Sequence, residues 1–324
     1  MSLPEATGPP TQDPAGGRAT RRAVLLAAAA AAAGCAAPAR PQVLHAASGL
    51  VGRARRRPPT VPAATTPAAP TPGAGHPAGA PATAAQLLER ATLPALCWHQ
   101  LRDPVPGDTA YTRANLVCPP ARFREQLDAL AGAGVRTVTP DDHLRHLLTG
   151  APLPPRAVLL SFDDSQGTQI TEGLPELQRR GLTATFFIMT VVLGKPGWMA
   201  RRDVLRLRDA GMTIAAHTWD HHRVDRYAGG DWAVQLDQPR ALLEHLLGQP
   251  VPHFAYPYGA WAPEDFPHLR RAGYATAYQL SDRGLDRAAP QLTLRRLLVN
   301  STWDGPTLLR HLEQARTPVA EPGT

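Results

Sequence analysis

Residues 157–164 read Ala-Val-Leu-Leu-Ser-Phe-Asp-Asp, an apolar run that ends on two adjacent carboxylates. An apolar run of this length between turn signals is a buried strand. Carboxylates at its end are costly unless something cationic or protic meets them. Similar short runs recur along the chain at Pro94–Trp98, Val135–Thr139, Thr183–Met189, Thr213–Ala216, His253–Tyr256, Tyr274–Tyr278 and Leu292–Val299. Helical spacing separates them. Phe123, Leu127 and Leu130 share one face, Val204, Leu205 and Leu207 mark a second helix, and Leu242, Leu243, Leu246 and Leu247 a third. Pro239 predicts a break or a helix start, with Asp237 near its cap. Alternating strands and helices imply a parallel sheet covered by helices. One α/β domain of this length, residues 86–324, fits a (β/α) barrel, whose chemistry sits at the carboxyl ends of its strands.

The 324 residues carry 34 Lys and Arg against 27 Asp and Glu, a net charge of +7. Residues 1–85 account for +6 of it, with eight Arg against Glu5 and Asp13. A nearly neutral fold lacks the basic face a nucleic-acid binder needs, so no nucleic-acid partner is expected. Arg21-Arg22, the apolar stretch 23–33 and Gly34-Cys35 have the layout of an export signal over residues 1–35. The twin arginines resemble a Tat-type signal, and Ala33-Gly34-Cys35 resembles a bacterial lipobox, which implies a lipidated Cys35 on the outer face of the membrane; the alternative is a plain signal with an incidental Cys and a secreted protein. The stretch is too short to span a bilayer, which takes roughly 20 residues. Residues 36–85, rich in Pro and Ala and without periodicity, read as an extended, disordered linker.

Four polar clusters follow strands. Asp163-Asp164 is the first, and the two side chains diverge enough for separate tasks. His217-Thr-Trp-Asp-His221 is the second. Histidines four apart converge in a helical turn, and two His plus one Asp leave a coordination position open, as in catalytic zinc sites. Adjacent His222 should point elsewhere. Phe254-Ala-Tyr-Pro-Tyr-Gly259 is a stiff aromatic turn able to aim a backbone N–H inward, and Cys97-Trp98-His99 ends the first strand on an imidazole. Asp141-Asp142, after Thr139-Pro140, reads as an ordinary helix start.

The ordered set Ser-Phe-Asp-Asp, His-Thr-x-x-His and Phe-Ala-Tyr-Pro-Tyr-Gly resembles the polysaccharide deacetylases with the NodB homology domain, carbohydrate esterase family 4, over roughly residues 93–300. The resemblance implies a distorted (β/α) barrel and metal-dependent removal of acetyl from N-acetylglucosamine units. Carried over by position, Asp163 is the catalytic base, and Asp164, His217 and His221 are ligands to a divalent metal such as Zn²⁺, Co²⁺, Ni²⁺ or Fe²⁺. The Tyr258 N–H matches the oxyanion donor. Ala255 stands where many members carry Arg, so the usual Arg–Asp pairing is expected to be absent unless Arg295 or Arg296 replaces it. The subgroup acting on exported poly-β-1,6-N-acetylglucosamine also lacks that Arg and takes its acid from an early strand end. That makes His99 the expected general acid rather than His311 of Leu309-Arg310-His311.

Trp98, Trp219, Tyr256 and Trp261 are candidates to contact sugar. Cys97 and Cys118 leave a disulfide open, although Cys97 also reads as a buried apolar residue. The expected partner is an N-acetylated polysaccharide, the expected state a monomer. A catalytically silent carbohydrate-binding scaffold and an amidohydrolase for peptidoglycan are the rival functions.

Overall fold

The structure, a computed structural model, describes residues 81–280 and 282–316. The expected export signal, Cys35 and most of the linker lie outside the described residues.

In chain order the strands are β1 (Ala95–Trp98), β2 (Gln100–Leu101), β3 (Val117–Cys118), β4 (Arg136–Thr137), β5 (Ala157–Phe162), β6 (Thr185–Ile188), β7 (Thr213–Ala216), β8 (His253–Ala255), β9 (Thr276–Gln279), β10 (Leu294–Arg295) and β11 (Leu297–Leu298). The helices are α1 (Ala84–Arg90), α2 (Pro120–Gly132), α3 (Pro140–Thr149), α4 (Leu174–Arg179), α5 (Arg201–Asp209), α6 (Gln238–Leu247), α7 (Phe266–Arg271) and α8 (Gly305–Arg316). Helix α1 starts inside the segment read as linker because Thr83 and Gln86 form a reciprocal cap.

Every pairing in the main sheet is parallel, in the order β10-β9-β8-β7-β6-β5-β1-β11, with β4 also on β5. The two ends of that order are consecutive in sequence. β10 pairs with β9 and β11 pairs with β1, so one strand bent at Arg296 bridges the two edges. The sheet is thereby nearly closed into a barrel, and Leu292–Val299 is two short strands rather than one.

Alternation along the strands divides the core. Leu96, Trp98, Val158, Leu160, Phe162, Phe186, Ile214, Phe254 and Tyr256 pack outward under the helices. Ala95, Leu159, Phe187, Ala215, Ala255 and Tyr278 form a second, interior cluster. Pro239 causes no break: the helical path from Trp232 runs through it, with Pro239 in the first turn of α6, where its missing N–H costs nothing. Asp237 keeps helical dihedrals and makes no cap; its carboxylate pairs with Arg271 at 2.9 Å instead. Asp142 completes a capping box with Thr139, while Asp141 accepts from His253 at 3.0 Å.

Candidate active site

Strand alternation aims the site. On β5, Ala157, Leu159 and Ser161 share a parity that continues to Asp163; on β1 the same rule carries Ala95 and Cys97 to His99, and on β7 Ala215 to His217. All three side chains lie beyond the carboxyl ends of their strands and are buried.

Asp163 is fully buried and bidentate with Arg296: Nη1 donates to Oδ1 at 2.6 Å and Nη2 to Oδ2 at 2.7 Å. Arg296, one of the two candidate replacements, therefore supplies the Arg–Asp pair that Ala255 cannot. The guanidinium comes from the bend between β10 and β11, across an interior kept open by the small side chains Cys97, Ser161, Ala215 and Ala255. Ser161 Oγ accepts from Arg296 Nη1 at 3.1 Å, and the guanidinium carbon lies 4.7 Å from the Phe187 ring centre. Burial alone would raise the Asp163 carboxyl. Arg296, His217 and His99 outweigh it and hold the group below its usual range, ionised. Gln169, which the sequence reading missed, donates from Nε2 to the carbonyls of His99 at 2.8 Å and Asp163 at 2.6 Å, tying the two strand ends together.

Asp164 turns the other way. Its Oδ1 lies 3.3 Å from His217 Nε2 and 3.2 Å from His221 Nε2. The histidines do not converge through a helical turn, as their spacing suggests. Residues 217–221 form an irregular loop in which Thr218 has φ 63° and His221 φ 70°, closed by a hydrogen bond from the His221 N–H to Thr218 Oγ1 at 3.0 Å. Asp164 and Ser165 also occupy the left-handed region, at φ 73° and 64°. Non-glycine residues reach that region only where surroundings compel it, and such strain gathers at functional sites. Ser165 Oγ supplies part of the compulsion by accepting from the Met189 N–H at 2.9 Å.

These residues fit a cation. His217 donates Nδ1–H to the Ala255 carbonyl at 2.8 Å, which leaves the Nε2 lone pair facing Asp164. His217 Nε2 and Asp164 Oδ1 are both buried without a hydrogen-bond partner. Two orphaned acceptors beside a second imidazole are what three ligands to one divalent ion require. His217→Ala or His221→Ala should accordingly leave well under one equivalent of metal per chain after desalting. Full occupancy in both variants would remove the assignment.

His99 Nε2 lies 4.0 Å from Asp163 Oδ2, and burial lowers its imidazole below the usual value against the pull of Asp164 and Asp163. His311 instead stacks on Trp303 at 4.0 Å in α8, away from these groups. Cys97, His99 and Asp163 also bring one donor atom each within 4.8 Å. They do not make a second metal site, because Asp163 is spent on Arg296 and burial holds the Cys97 thiol protonated. Both cysteines are free thiols, with Cys118 Sγ turned to Gln126.

Tyr258 sits at φ 58° in a turn closed by the amides of Gly259 and Ala260, with its own N–H outside those bonds and its ring 4.6 Å from that of His221. Two expected sugar contacts are corrected. Tyr256 has the outward parity of β8, is fully buried and donates its hydroxyl to the Leu292 carbonyl at 2.8 Å. Trp261 is buried, donates Nε1–H to Gln279 at 2.8 Å and carries the Arg283 guanidinium over its ring. Trp98 likewise belongs to the core, bonded to Gln126. Trp219, within the histidine loop, is 39% exposed. His222 turns out to Asp220, as expected.

Residues 150–277 match the polysaccharide deacetylase family model. The poly-β-1,6-N-acetyl-D-glucosamine N-deacetylase of Staphylococcus epidermidis is 22% identical over 208 residues, 56% of this chain and 71% of that protein. Among solved structures, IcaB from Ammonifex degensii superposes with a TM-score of 0.56 at 25% identity, covering 69% of this chain and 97% of that one. The Streptococcus pyogenes deacetylase PplD in complex with acetate shares the fold, with a TM-score of 0.63 at 23% identity over 70% of this chain and 98% of that one.

Proposed function

We propose, from the match of residues 150–277 to the polysaccharide deacetylase family model, that the chain removes acetyl groups from N-acetylglucosamine units of an exported β-1,6-linked polysaccharide, using a divalent metal such as zinc. The observation that carries the reading is the division of labour between adjacent carboxylates. Asp163 is clamped by a guanidinium, while Asp164 keeps a buried oxygen free beside two imidazoles.

Bound at Asp164, His217 and His221, the ion supplies Lewis acidity toward the acetamide carbonyl and eases deprotonation of a water. Asp163, ionised through Arg296, accepts that water's proton at Oδ2, the oxygen nearer His217 and His99. The Tyr258 N–H meets the oxyanion of the tetrahedral intermediate, a contribution of about 3–4 kcal/mol per donor elsewhere. His99 donates a proton to the departing sugar nitrogen, so water and amide become acetate and free amine. An imidazole lowered by burial is a strong donor once charged. The left-handed backbone at Tyr258 aims its amide; its ring and Trp219 are the exposed aromatics left to meet the glycan. One chain supplies every group, consistent with a monomer.

The test is acetate release from β-1,6- and β-1,4-linked N-acetylglucosamine oligomers and from peptidoglycan. Release from the β-1,6 series is expected to exceed the others, and glycan binding without release from any of them would favour the scaffold. His99→Ala should fall by about 100-fold or more on N-acetyl sugars but much less on an aryl acetate, whose leaving group needs no proton. That dependence appearing in His311→Ala instead would move the acid to α8.

The reading extends to the address: an exported protein held by a lipid on Cys35. No helix among the described residues is long and apolar enough to cross a membrane. Cys35→Ser should shift the protein from the membrane to the soluble fraction, and unchanged membrane association would end the anchor proposal.

A further inference from the structure

A cavity of about 480 Å³ lies apart from the strand ends that carry the catalytic groups, where α1, the start of β1, the β10–β11 bend and the end of α8 meet. Leu88, Leu93, Leu294 and Leu297 make its walls predominantly apolar. Two of the side chains lining it are buried and each retains a nitrogen with no hydrogen-bond partner. His143 is 2% exposed; its Nδ1 lies 3.2 Å from the Tyr278 hydroxyl and its Nε2 has no partner. Arg296 is 4% exposed; both Nη atoms are spent on Asp163 and its Nε has no partner. The two share a neighbourhood, since the Phe187 ring lies 5.6 Å from that of Tyr278 and directly beneath the guanidinium.

A buried donor left unpaired forfeits its hydration with nothing in return, so each calls for a partner. Burial, with His146 and His253 nearby, lowers His143 to about 3, so its ring is neutral. Burial also keeps Tyr278 protonated, and with its hydroxyl as the donor to Nδ1 the ring hydrogen sits on Nε2. Both orphaned atoms are then N–H donors. Arg295 adds positive charge to the lining, and no Asp or Glu is among its described residues. Apolar walls with buried donors and a cation match a ligand of alkyl body and single anionic head.

We infer that this cavity binds an amphipathic carboxylate, its alkyl chain against the leucines and its head on the Arg296 and His143 N–H groups. The site touches the deacetylase centre only through Arg296, whose Nη atoms hold Asp163, and its test is direct binding.

Decanoate is titrated calorimetrically into the metal-loaded full chain, with 1-decanol and acetate as comparators. Decanoate should bind with one equivalent, 1-decanol about tenfold more weakly for want of a charge-assisted hydrogen bond, and acetate not measurably. Ala91→Trp, which fills the cavity from a half-buried lining position, should weaken decanoate about tenfold while acetate release from glycan stays unchanged. His143→Phe should bring decanoate down toward 1-decanol. The inference is overturned if decanoate does not bind, if it binds no better than 1-decanol, or if Ala91→Trp binds it as tightly as the native chain.

Discussion

Asp163→Asn is expected to lose roughly 10²–10⁴ of its turnover, the range for a general base, while keeping its metal. In the proposed mechanism the carboxylate ligates nothing; it takes a proton, and an amide cannot. The substitution also strips Arg296 of its counter-ion, since the Asn NH₂ would face one of the guanidinium nitrogens. The melting temperature should therefore fall together with turnover, and metal content per chain certifies that the fold survives. Measurement is by acetate release, thermal denaturation and metal analysis on one preparation. Metal loss would make Asp163 a ligand, and turnover within a few-fold of native would place the base elsewhere.

Arg296→Met should have the larger effect on stability. Breaking a buried pair by removing one partner costs about 3–5 kcal/mol, a large share of the 5–15 kcal/mol that holds a typical domain. The sign with pH follows from the lowered Asp163 value. Stability from the pair is present above the unfolded carboxyl value and is lost as pH falls through the lower folded one. Without the guanidinium, burial raises the carboxyl, so the variant's activity should be most depressed on the acidic side and recover partly as pH rises. Arg296→Lys keeps the charge but not the two-pronged contact and should fall between. Adding Asp163→Asn to Arg296→Met should restore part of the lost stability and none of the turnover. If the single variant melts like the native protein, the pair does not organise the barrel interior.

The strands were legible because each apolar run ends abruptly on polar residues, and the strand ends carry the site. Misreadings came from chemistry counted without parity. Tyr256 looks like a groove wall in Phe-Ala-Tyr-Pro, yet it shares the outward face with Phe254, and the residue of inward parity is Ala255. Two histidines four apart suggested a helical turn, whereas the left-handed residues 218 and 221 build the convergence from backbone that no propensity favours. Arg296 was named only as one of two arginines, because nothing local distinguishes it from Arg295. Its partner is 133 residues away, and only closure of the sheet brings them together.

That closure has a consequence for synthesis. Leu96 pairs with Leu297 and Cys97 with Leu298, contacts between opposite ends of the domain that carry a large loop-closure cost and form slowly. A nascent chain that has emerged through residue 260 already contains His99, Asp163, Asp164, His217, His221 and Tyr258. It still lacks the guanidinium that keeps the base charged, so partial translation products should be silent toward acetylated sugars, and the capacity to hydrolyse them should arise only when the last strand locks the cylinder shut.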